Sequence, residues 1–196
     1  MQSKDDIIIQ IAGSEHASYA PYICQLYAES AKARGTGIAE RQPSYVEGKI
    51  LKGDAIIAFA GEQLAGFCYI ETWSHHQYVA NSGLIIAPEF RRLGLARRIK
   101  QQVFKLSRDK YPQAKVFGIT TSLAVMRINS DLGYKPVTFS ELTQDEAFWN
   151  GCKSCPNFDI LQRNDKKMCL CTAMLAPSKE ESMAYDLSSQ IIVSEH

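Results

Sequence analysis

The stretch Asn81–Ala96, NSGLIIAPEFRRLGLA, contains the change from strand to helix around which the chain is organised. Its first half holds a short apolar run, Gly83–Ile86, of the kind that lies inside a sheet. Pro88 has no N–H to donate to a ladder and is expected to end that strand. Beyond Gly94, apolar residues recur at spacings of three and four, which predicts a helix. These residues are Leu95, Ile99, Val103 and Leu106.

A glycine-containing turn between a strand and a helix predicts an anion-binding site. The first N–H groups of such a helix have no internal partner and lie at the positive end of the helix dipole. Gly94 and Ala96 are small enough for a pyrophosphate to approach the backbone. Four nearby arginines add positive charge. They are Arg91, Arg92, Arg97 and Arg98.

The same residues resemble a family signature. Arg91-x-x-Gly94-x-Ala96 looks like the acyl-CoA motif Gln/Arg-x-x-Gly-x-Gly/Ala of the GNAT acetyltransferase superfamily, and Leu132-Gly133-Tyr134 resembles the later Leu-Gly-Phe or Leu-Gly-Tyr motif. The predicted order of elements over Ile7–Leu175, β-α-α-β-β-β-α-β-α-β-β, is also that of the family. The resemblance implies an α/β (α+β) GNAT fold with a mixed central sheet of about six to seven strands and about four flanking helices. The alternative is an ordinary strand–loop–helix with surface arginines.

Length and composition favour one compact domain. The chain has 196 residues, of which 45% are hydrophobic, and a formal net charge of +1, which gives no general field for a nucleic acid. No run reaches the roughly 18 apolar residues of a membrane span, and the N-terminus lacks a signal core, so we expect no membrane association and a cytoplasmic location. We expect a single domain over 1–176, with a cysteine-containing insertion at about 143–167, and a polar, mobile tail over 177–196.

The resemblance implies that acetyl-CoA or succinyl-CoA is the acyl donor. A backbone N–H of the central strand near Ile86 would bind the developing oxyanion. The residues expected to bind the cofactor are Leu84, Ile85, Ile86, Arg91, Arg92, Leu93, Gly94, Leu95, Ala96, Arg97 and Asn129.

The resemblance also points to catalytic positions. Many family members have a tyrosine acid at the position of Asn129, and an asparagine cannot donate a proton as an acid, although it can hydrogen-bond the sulfur or the pantetheine arm. Tyr134 and Ser130 are the substitutes, with a core role as the alternative for Tyr134. Glu71 and His75 are the candidates for the base, and an exposed strand end is the alternative interpretation of both.

The loop over 33–43 lies beside the acceptor pocket in this fold. Arg34 and Arg41 are expected to bind the carboxylates of a small acidic acceptor such as glutamate, or else to be solvated loop arginines. Three segments, 33–39, 66–71 and 169–175, resemble a Bacteroidetes GNAT group that is associated with arginine biosynthesis as N-acylglutamate synthases. Other acceptors (a polyamine, an antibiotic or a protein N-terminus) and a non-catalytic CoA-binding module remain open, as does a homodimer.

Four late cysteines form two close pairs, Cys152-x-x-Cys155 and Cys169-x-Cys171. The first spacing is typical of half a zinc site. On a predicted strand over Met168–Leu175, two residues two positions apart lie about 6.6 Å apart, whereas thiolates on one zinc lie nearer about 4 Å, so that strand would have to bend. The alternatives are one buried and one ligating cysteine in the second pair, a redox pair at Cys152 and Cys155, or plain packing, and no metal is the favoured interpretation.

Overall fold

A computed structural model describes residues 7–34 and 39–185, with Arg34 described by its backbone alone. The strands are β1 (Ile7–Ile11), β2 (Ala55–Ala60), β3 (Gln63–Trp73), β4 (Tyr78–Ile86), β5 (Lys115–Thr120), β6 (Lys135–Val137) and β7 (Thr172–Ala176). The helices are α1 (Ala20–Arg34), α2 (Pro43–Leu51), α3 (Leu95–Lys110), α4 (Leu123–Asp131), α5 (Glu146–Asn150) and α6 (Phe158–Arg163).

Within the described residues, the seven strands form one mixed sheet in the order β1-β2-β3-β4-β5-β7-β6. Neighbouring strands are antiparallel except β4 and β5, which run parallel on either side of the α3 crossover. The predicted α/β fold is confirmed. The insertion adds two short helices, α5 and α6, to the four that were expected.

Strand β4 has two irregularities that shape the rest of the molecule. It pairs with β5 only from Tyr78 to Ala80, and beyond Ala80 the two strands diverge. On its other side, Phe67 is opposite Ile85 while Tyr69 is opposite Ser82, so β4 contains one extra residue there. A bulge of this kind bends the strand and redirects side chains, and here it lies beside the opening between β4 and β5.

The extra residue is accommodated by Gly83, whose φ is +65°. A Cβ atom at this position would lie 2.2 Å from Cε1 of Tyr69 and 2.5 Å from the hydroxyl of Tyr27. Both the backbone conformation and the available space therefore require glycine. The Tyr27 hydroxyl occupies that space and donates a 2.5 Å hydrogen bond to the Gly83 carbonyl oxygen, which ties α1 to the bulge.

Helix α3 covers the central strands with its apolar stripe. Leu95, Ile99 and Val103 are buried, as the spacing predicted. The insertion has its own smaller core, in which Phe148 contacts Phe117 of β5 and Trp149 contacts Phe139. Because the insertion packs against β5, it forms a wall beside the place where β4 and β5 diverge.

Two expectations about the C-terminal part are wrong. The last strand begins at Thr172 rather than Met168, so Cys169 and Cys171 precede it. Residues 177–185 are not a mobile tail, because 179–185 are helical and docked. Ser178 and Glu181 bond reciprocally as an N-terminal capping box, and Arg108 of α3 donates a 3.0 Å hydrogen bond to Ser182. The remaining tail residues lie outside the described part of the chain.

None of the helices in the described ranges is both long enough and apolar enough to cross a bilayer.

Candidate active site

The divergence of β4 and β5 opens a cleft of about 1010 Å³. One end is formed by the turn before α3, and the other by the start of α2, the end of β3 and the insertion. Beyond Ala80, the edge of β4 that faces β5 has no ladder partner among the described residues. Its free N–H and C=O groups are therefore available to a ligand that runs along the strand.

The turn before α3 has the conformation expected of an anion site. Gly94 has a φ of +78° and precedes the first residue of α3, and Arg92 has a φ of +64°. The carbonyl oxygen of Gly94 accepts from the N–H groups of Arg97 and Arg98, which leaves the earlier N–H groups of this helix without helical partners. Gly94, Leu95 and Ala96, which were predicted to bind the cofactor, line the cleft. So do Leu84, Ile85, Ile86, Arg91, Arg92 and Arg97.

The arginines near this turn have different surroundings. Arg91 donates from Nε to the Ile86 carbonyl oxygen at 3.1 Å and from Nη2 to the Ser30 hydroxyl at 3.2 Å, which fixes its guanidinium at the cleft edge. Arg97 forms an ion pair with Asp131 at 2.6 Å. Arg98, predicted to contribute charge here, instead donates to the Ile7 carbonyl oxygen at 3.0 Å and does not line the cleft.

Among the predicted cofactor residues, Leu93 does not line the cleft. It packs against the main core and is absent from the cleft wall. Its apolar side chain anchors the turn from below, while the flanking Arg92 and Gly94 face the cleft.

At the other end of the cleft, two charged residues are held by tyrosines. Arg41 donates from Nε to the Tyr69 hydroxyl at 2.6 Å. The Tyr45 hydroxyl donates to Oε1 of Glu71, a carboxylate that is buried at the end of β3. Arg41, Tyr45 and Glu71 all line the cleft. Arg41 was predicted to lie there, whereas nothing in the sequence distinguished Tyr45 or Tyr69 from the other aromatic residues of the chain.

The electrostatics fix the protonation states of this group. Burial lowers the pKa of the Arg41 guanidinium, but the neighbouring Tyr69 and Glu71 outweigh it and raise that pKa above its ordinary value. Arg41 is therefore charged at any physiological pH. Burial, together with the negative charge of Glu71, raises the pKa of Tyr45. The phenol therefore stays protonated and donates a hydrogen bond to the carboxylate.

The other predicted residues of this end are placed as follows. The side chain of Arg34 lies outside the described part of the chain. His75 is exposed in the turn between β3 and β4, has a φ of +53° and does not line the cleft. Trp73, at the end of β3, does line it, and its indole N–H is buried with no hydrogen-bond partner.

Where β4 and β5 part, four polar side chains meet. Asn129 of α4 is 1% exposed and lines the cleft, and its Oδ1 is buried with no partner. Its Nδ2 lies near Gly118 of β5, as does the backbone oxygen of Asn81. Asn81 accepts on Oδ1 from the Tyr134 hydroxyl at 2.9 Å and from Nζ of Lys100 at 3.3 Å.

Tyr134 therefore does not lie where an acid would be needed. It is 2% exposed and does not line the cleft, and its hydroxyl donates to Oδ1 of the cleft residue Asn81. Burial raises its pKa well above the ordinary value. Ser130, the other substitute, is exposed and also absent from the cleft wall. Tyr134 is therefore a core residue, which was the alternative interpretation of this tyrosine.

Sequence reasoning missed Lys100. This α3 residue is only 2% exposed, yet it lines the cleft. A signal was present, because Lys100, Val103 and Ser107 follow the helical spacing of three and four on the buried side of the helix. A lysine at such a position is buried with its charge unless it loses its proton.

The four late cysteines all line the insertion side of the cleft. Burial first, and then the neighbouring thiols, raise the pKa of Cys152 to about 11 and that of Cys171 to about 12. Across 7–34 and 39–185, no three His, Cys, Asp or Glu side chains are arranged so that they could hold a metal ion. The zinc option built on Cys152, Cys155, Cys169 and Cys171 therefore gains no support from this geometry.

Comparison with known proteins agrees with this geometry. The profile of the acetyltransferase (GNAT) family matches residues 22–124, more than half of the chain. The chain belongs to the GNAT acetyltransferase family. The enzyme is thus a GNAT-type N-acetyltransferase, as the Arg91-x-x-Gly94-x-Ala96 motif predicted.

One curated relative and two solved structures add detail. A thialysine N-epsilon-acetyltransferase of Caenorhabditis elegans is 31% identical over 124 residues, which are 62% of this chain and 74% of the relative. An N-acetylglutamate synthase from Neisseria gonorrhoeae, solved with coenzyme A and N-acetyl-glutamate, has a TM-score of 0.63 at 15% identity and covers 88% of this chain. This chain spans only 35% of that synthase. The putative acetyltransferase yncA of Salmonella typhimurium, solved with acetyl-CoA, has a TM-score of 0.59 at 11% identity, with 87% and 93% of the two chains covered. At these identities the structural likeness concerns the fold alone.

Proposed function

We propose that this acetyltransferase moves an acetyl or succinyl group from CoA to the amino group of a small acidic amino acid, glutamate, as a step of arginine biosynthesis. The observation that carries the proposal is that one cleft joins the N-terminus of α3 to two opposite charges, the half-buried Arg41 and the buried Glu71. The first end suits a phosphorylated donor and the second suits an amino acid.

The donor is proposed to bind along β4. Its pyrophosphate accepts from the N-terminal N–H groups of α3, with Arg91 and Arg92 alongside. Its pantetheine arm runs along the unpaired edge of β4 beyond Ala80, where amide groups can bond as an added strand would. The orphaned Oδ1 of Asn129 accepts from an N–H of that arm.

The acceptor is proposed to bind through Arg41. A guanidinium that stays charged in a half-enclosed site binds carboxylates strongly, because little water competes for it. Its Nε donates to Tyr69 and its Nη1 donates to the Glu40 carbonyl oxygen at 3.0 Å, so Nη2 is the nitrogen proposed to bind the carboxylate. The partnerless indole N–H of Trp73 offers a further donor at the same end. A ligand with carboxylates satisfies both.

Glu71 is proposed as the base. The amine must be neutral to attack a thioester, and a buried carboxylate at the end of β3 can take its proton directly or through one water. The Tyr45 hydroxyl holds Glu71 in one orientation. The negative charge that develops on the thioester carbonyl oxygen is proposed to be bound by an N–H of the unpaired β4 edge just beyond Ala80, rather than near Ile86.

A second acceptor class is favoured by one observation. Glu71 is a buried anion, and with Glu40 it could bind the distal amine of a cationic substrate, as the relationship to a thialysine acetyltransferase suggests. In that case Arg41 would oppose binding instead of promoting it.

The cytoplasmic location and a homodimer stay predictions.

The test is release of free CoA in the presence of L-glutamate, with acetyl-CoA and succinyl-CoA in parallel, and with L-lysine and thialysine as competing acceptors. We expect turnover that depends on glutamate, and the preferred donor then names the product. Turnover with the cationic acceptors and none with glutamate would replace this proposal by the second one.

A further inference from the structure

Lys100 is a buried cation that has no role in the proposed binding of either the acceptor or the acyl donor. It is 2% exposed, and among the described residues it forms no ion pair with a carboxylate. Its Nζ donates to Oδ1 of Asn81 at 3.3 Å and lies 5.2 Å above the ring centre of Tyr134. A buried ammonium has three N–H groups and a large desolvation cost, so one amide oxygen and one ring leave it poorly compensated.

The place that Lys100 occupies is the closed end of the opening between β4 and β5. Asn81 follows Ala80, the last residue of β4 that pairs with β5. Gly118 and Asn129 lie at the same point, since a Cβ on Gly118 would be 3.7 Å from the Asn81 carbonyl oxygen and 3.8 Å from Nδ2 of Asn129. A pantetheine arm that follows the β4 edge from the α3 turn reaches its sulfur end here.

Lys100 and Glu71 approach this point from opposite faces of the sheet. Glu71 pairs across the strands with Ala80, and Ile70 pairs with Asn81. Because neighbouring residues on a strand point to opposite faces, the Glu71 carboxylate and the Asn81 amide lie on opposite sides of the sheet. Lys100 bonds to that amide from α3. A thioester between the two faces would therefore have a carboxylate on one side and an ammonium on the other.

We propose that Lys100 is a further catalytic residue, the proton donor to the sulfur of the departing CoA. This inference rests on the proposed acyl transfer. Glu71 first releases to water the proton that it took from the ammonium; the neutral amine nitrogen then bonds to the thioester carbon and loses a second proton to Glu71, which passes that proton to water as well. As the intermediate collapses, the carbon–sulfur bond breaks with its electron pair on sulfur, and Lys100 transfers one proton to that sulfur. Lys100 then regains a proton from water through the open cleft, so the step balances without any further reactant.

The chemistry of the lysine suits this role. Burial lowers its pKa to about 8, with Cys68 of β3 opposing that shift. This value is close to the roughly 8.5 of a thiol, so the proton can move in either direction with little cost. The other groups that face the amine are Asn81, Tyr134 and Ser107, and none of them is an anion. Lys100 thus supplies the proton that Asn129 cannot.

The test measures the pKa of the CoA thiol bound to the enzyme, which needs no acceptor. The ultraviolet absorbance of the thiolate is followed against pH for bound CoA, with bound desulfo-CoA as the blank. We compare wild type with Lys100→Met and with the control Lys105→Met, an exposed lysine on the same helix that pairs with Asp109. A nearby ammonium favours the thiolate, so we expect the bound thiol of wild type and of the control to have a pKa at least about one unit lower than that of Lys100→Met.

Turnover gives the second readout. Lys100→Met is expected to lower kcat roughly 100-fold with the KM for the acceptor unchanged, and Lys100→Arg, which keeps a charge but cannot release its proton, is expected to keep the low thiol pKa without restoring kcat. Equal thiol pKa values in wild type and Lys100→Met, with equal binding of desulfo-CoA, would overturn the inference. Failure of wild type to bind CoA would overturn the proposed function as well. A shifted thiol pKa without turnover on glutamate would refute only the acceptor.

Discussion

The Nε atom of Arg41 and the hydroxyl of Tyr69 are 2.6 Å apart and joined by a hydrogen bond. This contact ties the chain segment before α2 to the middle of β3, at the bulge of β4. The hydrogen bond holds the guanidinium of this loop arginine in one position at the acceptor end of the cleft.

Arg41→Met is expected to weaken acceptor binding specifically. Removal of a charged hydrogen-bonding partner costs about 1.5–3 kcal/mol, so the KM for glutamate should rise roughly 10- to 100-fold while CoA affinity stays unchanged. Steady-state kinetics and calorimetric CoA titration measure the two effects. Arg163→Met, which changes an exposed arginine of α6 outside the cleft, is the control. An unchanged KM for glutamate in Arg41→Met would remove Arg41 from the acceptor site.

Gly94→Ala is expected to weaken CoA binding directly, in addition to a small loss of protein stability. Gly94 and Gly61 both have positive φ, +78° and +60°, and a Cβ on either meets no atom within 4 Å. Both alanine variants should therefore lose a similar stability, about 1 kcal/mol. Only Gly94→Ala places a methyl group where the pyrophosphate approaches, so only this variant should raise the Kd for CoA, by about tenfold or more. Equal Kd values in the two variants would contradict the proposed donor site.

Glu71→Gln is expected to slow the reaction without loss of either substrate. The glutamine is isosteric, and its carbonyl oxygen can still accept from Tyr45, so the acceptor end should keep its shape. Loss of a general base lowers kcat by about 100- to 10,000-fold. Rapid-mix kinetics at several pH values measures this effect, and the variant should regain part of its rate at high pH, where more of the amine is neutral. A kcat within twofold of wild type would exclude Glu71 as the base.

Wild type is expected to be less stable at neutral pH than the variant Lys100→Met, in which an apolar side chain replaces the buried ammonium. The folded-state pKa of Lys100, about 8, lies below the ordinary 10.5, so between these values the folded protein binds fewer protons than the unfolded chain. The free energy of unfolding therefore rises as pH increases from about 8 to about 10.5, and below pH 8 the full cost of burying the charge is present. Lys100→Met should thus be more stable than wild type at pH 7, by roughly 1–3 kcal/mol, with the gap closing near pH 10. Urea unfolding at both pH values measures the gap, and a destabilised variant at pH 7 would show that the ammonium is a net structural contact.

Prolonged treatment with a chelator is expected to leave Tm and activity unchanged. The geometry of the late cysteines holds no set of three metal ligands within the described residues, and burial keeps Cys152 and Cys171 as neutral thiols, with pKa values of about 11 and 12. Elemental analysis of the purified protein and a thermal melt before and after dialysis test this. Zinc at one equivalent per chain, whose removal lowers Tm, would contradict it.

The features that depend on neighbouring residues in sequence could be predicted. The β4 strand, the Gly94 turn and the apolar stripe of α3 follow from local spacing and from the backbone freedom of glycine. The helix over 179–185 could also have been predicted from local sequence, because Ser178-x-x-Glu181 is a capping-box pattern.

The features that depend on tertiary contact could not be predicted. The hydrogen bond between Tyr69 and Arg41 joins residues 28 positions apart, and the hydrogen bond between Tyr134 and Asn81 joins residues 53 positions apart. The cysteine argument failed for a related reason, because it placed Cys169 and Cys171 on a strand that begins only at Thr172. In each case the sequence identified the residue, but its surroundings came from elements distant along the chain.

The most direct test of this account is the ratio of kcat/KM for L-glutamate to kcat/KM for thialysine, measured in wild type and in Arg41→Met with the preferred acyl-CoA donor. We predict a wild-type ratio far above one that falls by at least about tenfold in Arg41→Met, because the guanidinium attracts the acidic acceptor and repels the cationic one. A wild-type ratio below one, or a ratio that Arg41→Met leaves unchanged, would contradict an acidic acceptor bound by Arg41.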